Sequence, residues 1–356
     1  MKLKILIINI LISLLLLTSN VFSKALPPGS GIGDVPANVL ILLDRSGSMG
    51  ARMTSGVGVY YPESVALDSN GDAYVGQVAT YGIKKMTYAT KNVDASFGTS
   101  GIYRGTGSCR SYYPHTMKVH NGYLYVATYY GRRIFRINLT TGACDWNKYA
   151  MPQTLDIKNN ILYAVGYQRI HVRNLSTNTD INCNYSGNLR RFGQRYSYAM
   201  AVDNAGDNLY IHNSRYRTLY RFSIASNGCP NTNYASRIYR PSWRYSFGMT
   251  FHPSDDSIFY ATNYYQHRLY KFTLNSSKNA YSSATFVGRY GRNASTASSV
   301  RMYYPRNIDI DATNSRIAVA DYNKNSLQFF DLNLGFIKEI GGGGVSTRMS
   351  GAHAAI

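Results

Sequence analysis

The sequence predicts an all-β protein built from one small sheet repeated many times, and three observations support this prediction. The 356-residue chain holds 33 Tyr and 31 Gly, and only 16% of its residues are charged, a composition that favours short strands and turns over helices. Short segments of alternating apolar residues recur in groups of three, and a period of two is typical of half-buried strands. Apolar residues make up 44% of the chain, which excludes wholesale disorder.

Residues 1–23 are expected to form a signal peptide. Lys2 and Lys4 precede an apolar run at 5–17, and small and polar residues follow it as far as Ser23, the three regions of a secretory signal. The run is shorter than the roughly 20 residues that a membrane-spanning helix requires. We therefore expect a secreted or cell-surface chain with no transmembrane segment in its mature form.

Residues 24–57 contain a different element. The continuous apolar run 39–43 is typical of a strand buried on both faces, and Asp44-Arg-Ser46-Gly-Ser48 follows it. One carboxylate and two hydroxyls in a tight loop are hard oxygen ligands, which suit Mg or Ca. The sequence therefore predicts a divalent-metal site at Asp44, Ser46 and Ser48, weakly occupied because three ligands are too few for a full coordination shell.

This strand and its D-x-S-x-S loop resemble the start of a von Willebrand factor A domain, an α/β fold with a metal-dependent adhesion loop. The segment 347–356, after a run of glycines, resembles the beginning of the first helix of the same domain. We infer an incomplete A domain, with its first strand and metal loop at 24–57 and a Gly linker and the start of its first helix at 342–356. The alternative is an A-domain remnant whose strand at 39–43 merely pairs with the rest of the protein.

Between these segments, residues 58–341 contain six copies of one unit. Each copy has three readable strands and a more variable fourth strand. The first strands are predicted at 63–68, 115–120, 153–158, 198–203, 247–252 and 306–311. One such sheet cannot bury both of its faces, whereas six sheets arranged radially can. The sequence therefore predicts a six-bladed β-propeller, with the poorest third strand in the first copy, at 83–86.

The last copy carries a more specific resemblance. Tyr304-Pro-Arg-Asn-Ile-Asp-Ile-Asp311, then 317–323, then 326–331 are similar to an NHL repeat. The other five copies resemble it more loosely. The resemblance covers about residues 58–341 and implies an NHL-like six-bladed propeller that is inserted into the A domain.

Four cysteines lie in the exported part of the chain, and an even number in an oxidising compartment suggests two disulfides. Three connectivities are open. Pairing Cys109 with Cys144 and Cys183 with Cys229 keeps both loops short and is favoured. A zinc site is the alternative, but no C-x-x-C spacing supports it.

Basic and aromatic residues alternate at 190–198, 240–247 and 289–292, at or before the first strands of the blades. Such connections gather on one face around a propeller axis, where charge and stacking could hold acidic glycans, anionic surfaces or nucleic acid. The predicted ligand-binding residues are Tyr61, Tyr113, Arg195, Tyr198, Trp243, Arg244, Tyr304 and Arg306. The alternative is that these residues only cover strand surfaces, with Arg stems over apolar area.

No catalytic residue is predicted, because neither G-x-S-x-G nor H-E-x-x-H occurs in the chain. The leader followed by an A-domain start resembles type IV pilus tip-associated adhesins, which pair an A domain with a propeller. This resemblance implies a secreted or cell-surface adhesion protein whose partners are a protein or acidic glycan on a cell surface, or pilus components. Nucleic acid is disfavoured for an exported chain. Two alternatives stay open: a secreted lyase-type or hydrolase-type propeller enzyme with a metal on the axis, and a carbohydrate-binding module.

Overall fold

The computed structural model describes residues 58–166, 169–183, 199–231, 236–239, 243 and 245–341. The signal peptide, both A-domain segments and the metal loop at Asp44, Ser46 and Ser48 lie outside the described residues, so they stay predictions. Within these ranges, no helix has the length and apolar character needed to cross a membrane.

Six antiparallel sheets follow one another along the described chain, each made of consecutive strands. Blade 1 comprises β1 (Pro62–Leu67), β2 (Ala73–Gln77) and β3 (Gly82–Met86). Blade 2 comprises β4 (Pro114–His120), β5 (Tyr123–Thr128), β6 (Arg133–Asn138) and β7 (Cys144–Tyr149). Blade 3 comprises β8 (Pro152–Lys158), β9 (Ile161–Gly166), β10 (Arg169–Asn174) and β11 (Thr179–Ile181). Blade 4 comprises β12 (Ala199–Val202), β13 (Asn208–Asn213), β14 (Thr218–Ser223) and β15 (Ser236–Tyr239). Blade 5 comprises β16 (Met249–His252), β17 (Asp255–Asn263), β18 (Arg268–Leu274) and β19 (Tyr281–Val287). Blade 6 comprises β22 (Pro305–Asp311), β23 (Arg316–Asp321), β24 (Ser326–Asp331) and β25 (Phe336–Gly341). Two short parallel strands, β20 (Arg289–Tyr290) and β21 (Arg301–Met302), lie between blades 5 and 6.

The six first strands form a closed ring, because each contacts the first strands of the blades before and after it. At the point of closure, the Val65 amide donates to Asn307 Oδ1 at 3.3 Å and the Leu67 amide donates to Asp309 Oδ2 at 2.9 Å. Within the described residues, every blade is built from consecutive strands. The prediction of a six-bladed β-propeller is therefore confirmed.

The core lies between adjacent blades, as the alternating strands predict. Successive strand side chains point to opposite faces of a sheet. Val65 accordingly packs with Ala318 and Leu327 of blade 6, whereas Ala66 packs with Met117 of blade 2. Each blade thus shares its two faces with its two neighbours, and this sharing buries surface that a single sheet would expose.

Blade 1 departs from the predicted four strands. Its outer position is taken by an irregular segment that bridges β3 at only two points, Ile83 with Tyr103 and Met86 with Val93. Residues 87–111 lack a run of alternating apolar residues and contain Gly98 with a φ of 68° and other left-handed glycines. Such backbone suits turns rather than a strand, so a fourth strand does not form there.

Both disulfides follow the favoured pairing, Cys109–Cys144 and Cys183–Cys229. The first joins the irregular segment of blade 1 to the outer strand of blade 2, and the second joins blade 3 to blade 4. They close loops with sequence separations of 35 and 46 residues. Loop closure of this length is worth about 3–4 kcal/mol per disulfide in the chain-entropy description.

A group that we call the axial triad, Lys118, Asp156 and Asp309, joins blades across the axis. Lys118 Nζ lies 2.6 Å from Asp309 Oδ1 and 3.4 Å from Asp156 Oδ1. The second carboxylate oxygens accept hydrogen bonds from the amides of Leu67 at 2.9 Å and Val202 at 2.8 Å. Each triad residue stands at the same position of the first strand of its own blade, in blades 2, 3 and 6. Leu67 and Val202 add blades 1 and 4, so these contacts connect five of the six blades.

Candidate functional site

The antiparallel strands bring two sets of connections to the same end of the propeller. One set precedes the first strand of each blade, and the other joins the second strand to the third. Backbone hydrogen bonds tie the two sets together, as between the Tyr129 amide and Tyr113 O at 3.1 Å or the Tyr322 amide and Tyr304 O at 3.3 Å. We call these connections the tyrosine face.

The tyrosine face differs sharply in charge from the opposite end. Its described connections are 58–61, 110–113, 150–151, 245–246, 303–304, 78–81, 129–132, 214–217, 264–267 and 322–325, and none of them contains Asp or Glu. The turns at the opposite end contain Asp68, Asp72, Asp203, Asp207 and Asp311. The described connections of this face therefore contain tyrosines and basic residues and no acidic residue.

Exposed aromatic side chains are concentrated at the same end. Of the large hydrophobic side chains that are exposed in the described residues, all but Ile337 lie there: Tyr61, Tyr81, Tyr129, Tyr130, Tyr149, Tyr216, Tyr239, Tyr265, Phe286 and Tyr290. Tyr130 and Tyr290 are 65% and 60% exposed. Grouped aromatic exposure is typical of interaction sites, whereas singly scattered exposed residues are ordinary.

A repeated backbone feature shapes this end. Tyr61, Tyr113, Met151, Tyr245 and Tyr304 occupy the same place before the first strand, with φ between 43° and 63°. Left-handed backbone at a non-glycine residue costs about 1–3 kcal/mol and persists only where surrounding contacts hold it. A β-bulge follows in at least four blades, where the strand register shifts. A bulge redirects a side chain, here that of the residue left without a partner in the register, such as Glu63 between Pro62 and Ser64.

The redirected side chains meet on the axis. Arg306 Nη1 lies 2.5 Å from Glu63 Oε1, and His115 Nε2 lies 3.4 Å from the same oxygen. His115 of blade 2 also approaches Phe247 of blade 5, with ring centroids 6.0 Å apart. Because blades 2 and 5 stand on opposite sides of the ring, these side chains close the axis just below the tyrosine face.

Arg306 lies among aromatic rings at this closure. Its guanidinium carbon is 4.2 Å from the ring centroid of Tyr322, 4.6 Å from that of Phe247 and 5.1 Å from that of Tyr264. Cation–π attraction of this kind strengthens when water is excluded. Arg306 thus links the buried axial side chains to the exposed tyrosines.

Burial controls the protonation of the axial residues. It raises the pKa of Glu63 to about 7, against the opposing effect of the Arg306 guanidinium. Burial, together with the charge of Arg306, lowers the pKa of His115 to about 3. Near neutral pH, His115 is therefore uncharged and Glu63 is close to its titration midpoint. In the described ranges, no group of three or more His, Cys, Asp or Glu is placed to hold a metal ion.

The structure brings together four of the predicted ligand-binding residues. Tyr61 contacts Tyr322 with centroids 5.2 Å apart, next to Arg306. Tyr304 stacks on Tyr264 at 4.4 Å, and Tyr113 adjoins the carboxyl of Glu63.

Trp243 is placed elsewhere. It is 1% exposed and lies in the core, stacked on His212 at 3.8 Å and packed against Phe272 at 4.9 Å. We do not include it in the candidate site. Arg195, Tyr198 and Arg244 lie outside the described residues.

Sequence reasoning missed the buried part of the site. Glu63, His115 and Phe247 were not among the predicted residues, although each stands at the repeat position that Arg306 occupies in the last copy. Comparing that single position across the six copies would have revealed a ring of polar and aromatic side chains. We find no sequence pattern that would have predicted the bulge that turns this position toward the axis.

No protein-family model and no curated protein matches the sequence. The fold is similar to a functionally unknown protein from Desulfotomaculum acetoxidans, with a TM-score of 0.51, 14% identity and coverage of 76% of this chain and 80% of that one. It is also similar to the WD40 β-propeller domain of Doa1, with a TM-score of 0.50, 10% identity and coverage of 76% and 78%. At these identities the likeness concerns the fold alone, and the chain is an all-β six-bladed propeller.

Proposed function

We propose that the chain is a secreted or cell-surface adhesion protein that binds an acidic partner through the tyrosine face. The observation that carries this proposal is the separation of the two ends of the propeller, with tyrosines and basic residues at one end and aspartates at the other. A surface of one sign attracts ligands of the opposite sign and raises their rate of encounter. A propeller fold suits such a binding role.

The side chains of this face suit a broad contact. Tyrosine supplies a large, rigid ring with a hydroxyl at its edge, so that it buries area at low entropic cost. Arg132, Arg215 and Arg217 stand in the turns between second and third strands. Arginine pairs with carboxylates through two parallel hydrogen bonds, which favours carboxylated ligands.

The two disulfides are compatible with an extracellular protein. With the predicted leader, they support a partner on a cell surface, a protein or an acidic glycan. The resemblance to type IV pilus tip-associated adhesins leads us to propose pilus components as further partners. It also leads us to propose a second, metal-dependent contact at Asp44, Ser46 and Ser48, in an A domain that an NHL-like propeller interrupts.

We do not carry the enzyme alternative forward. Glu63 and His115 are buried and lie against Arg306 and Phe247, so a substrate would have to displace them. The carbohydrate-binding alternative overlaps with the proposal, because exposed tyrosines also suit sugar rings.

We expect Arg132→Glu to weaken binding to immobilised polygalacturonate by about threefold or more. The substitution places a negative charge on the tyrosine face, and this charge repels the carboxylates of the ligand. Lys91→Glu is the matched control. Lys91 is also exposed and left-handed, with φ of 61° against 52° for Arg132, but it lies at the opposite end. Both substitutions change the net charge equally, so a general charge effect would weaken binding equally in the two variants. Equal weakening, or no preference over neutral dextran, would contradict the proposal.

A further inference from the structure

Five tyrosines of blades 5 and 6 form an unbroken line of contacts, which we call the aromatic ridge. Along it, ring centroids are 5.0 Å apart for Tyr265 and Tyr264, 4.4 Å for Tyr264 and Tyr304, 4.7 Å for Tyr304 and Tyr303, and 5.0 Å for Tyr303 and Tyr290. The ends of the ridge are the more open, since Tyr265 is 54% and Tyr290 is 60% exposed. This succession of ring contacts is therefore open to solvent at both of its ends.

Positive charge accompanies this ridge. Residues 288–306 contain Arg289, Arg292, Arg301 and Arg306 and no acidic residue. The exposed Arg292 has its guanidinium carbon 4.5 Å from the ring centroid of Tyr303. Arg289 is exposed and donates to Ser299 Oγ at 2.8 Å. Arg306 is paired with Glu63, so Arg289 and Arg292 are the cations that this segment places beside the exposed rings.

The segment that carries Arg289 and Arg292 is held firmly on blade 6. Ser295 Oγ accepts a hydrogen bond from the buried Lys324 ammonium at 2.8 Å, and the Ser295 amide donates to Glu339 Oε2 at 3.0 Å. The carbonyl of Arg301 accepts from Gln328 Nε2 at 2.7 Å. An ordered surface loses little conformational freedom when a ligand binds.

We propose that the aromatic ridge is the binding site for a linear acidic polysaccharide, whose sugar rings lie along the tyrosines and whose carboxylates pair with Arg292 and Arg289. This inference rests on the proposed function and assigns it to one sector of the tyrosine face. A line of rings fits a polymer better than a single small molecule, because successive units can make the same contact.

Single-stranded nucleic acid is the other polymer that combines negative charge with flat rings. The disulfides favour the polysaccharide, since they are compatible with an extracellular protein and form in oxidising compartments, where carboxylated sugar chains are exposed on cells. The two ligands are distinguished by experiment.

The test measures binding of oligogalacturonates, of the same oligomers after methyl esterification, and of a single-stranded oligonucleotide by calorimetry at low salt. Tyr265→Ala, Tyr290→Ala and Arg292→Gln alter the aromatic ridge. The control variants remove single contacts elsewhere on the same face: Tyr130→Ala and Tyr216→Ala, with side chains 65% and 45% exposed, and Arg132→Gln. We expect each ridge variant to bind the acidic oligomer at least tenfold more weakly than the unaltered protein, and each control variant to bind it more weakly by no more than about threefold. The esterified oligomer should bind at least tenfold more weakly than the acid.

Equal weakening by ridge and control variants would overturn the assignment to the ridge but leave the proposed function standing. Equal binding of the acid and its ester would overturn the role of the arginines. Binding of the oligonucleotide in preference to the acidic oligomer would overturn the polysaccharide. Failure of the unaltered protein to bind any acidic sugar would overturn both proposals.

Discussion

Replacing Lys118 with Met should lower the free energy of unfolding by about 3–5 kcal/mol, the usual loss when one partner of a buried ion pair is removed. The carboxyl side chains of Asp156 and Asp309 are only 10% and 6% exposed, so without the ammonium they would be buried charges. Burial opposes the charged form of Lys118, but the two carboxylates outweigh it and hold its pKa above the usual range. Lys118 is therefore charged at neutral pH.

Chemical denaturation at neutral and acidic pH measures this loss. Burial raises the pKa of Asp309 against the opposing charge of Lys118, so in the variant protonation of Asp309 favours the folded chain and the deficit should shrink as pH falls. Lys158→Met is the control, since Lys158 Nζ reaches only the neutral Asn204 Oδ1, at 3.3 Å, and should cost less than about 1 kcal/mol. Adding Asp156→Asn and Asp309→Asn to Lys118→Met should recover most of the loss. A Lys118→Met protein within about 1 kcal/mol of the original at neutral pH would show that the axial triad does not hold the blades together.

Replacing Arg306 with Met should destabilise the protein more at pH 8 than at pH 5. At pH 8 the variant must fold either with the Glu63 carboxylate buried without the guanidinium 2.5 Å away or with a proton that the unfolded chain lacks, at a cost of up to about 3 kcal/mol. At pH 5 the Glu63 carboxyl is protonated in both proteins, because burial raises its pKa to about 7. Only the contacts of Arg306 with the aromatic rings are then lost, at about 1–2 kcal/mol.

The direction of this pH dependence follows from the link between protonation and folding. The folded pKa of Glu63 lies above its ordinary value of 4.5, so protonation favours the folded state. That contribution is complete below about pH 4.5 and is lost as pH rises through about 7. Removing Arg306 takes away the charge that holds this pKa down, so the loss extends to higher pH.

A double-mutant cycle with Glu63→Gln, measured by denaturation at both pH values, isolates the pair. The coupling between Glu63 and Arg306 should be large at pH 8 and small at pH 5. Arg268→Met is the matched control, because its guanidinium carbon lies 3.9 Å from the Phe286 centroid and its loss should not depend on pH. Equal losses for Arg306→Met at the two pH values would show that Glu63 is not the group that responds.

The local sequence pattern was sufficient to predict the strands, because the alternation of side chains within one strand shows which of them are buried. The alternation in β4, β8 and β22 predicted both the strands and the number of blades, because each blade is made from consecutive strands and the ring repeats one packing rule. The favoured disulfide pairing is also confirmed, since short loops connect neighbouring blades. Blade 1 is the exception, where the left-handed backbone of residues 87–111 replaces the expected fourth strand.

The site was only partly predictable. Tyr61, Tyr113, Tyr304 and Arg306 were identified because they precede or begin first strands, which meet around an axis. Trp243 has the same sequence context, yet it is 1% exposed. Whether an aromatic residue faces solvent or a neighbouring blade depends on the residues it meets across the interface.

By itself, the sequence determined the all-β class, the six repeats and the alternation by which successive side chains of a strand face one neighbouring blade and then the other. These features follow from the period of two in the apolar residues of each strand. Only the tertiary structure decided that Glu63, His115 and Arg306 meet on the axis, and that the exposed tyrosines and the aspartates of the turns occupy opposite ends. Those contacts join residues as far as 243 positions apart. They arise from ring closure and from bulges that redirect one side chain per blade, and neither effect is visible in any single stretch of sequence.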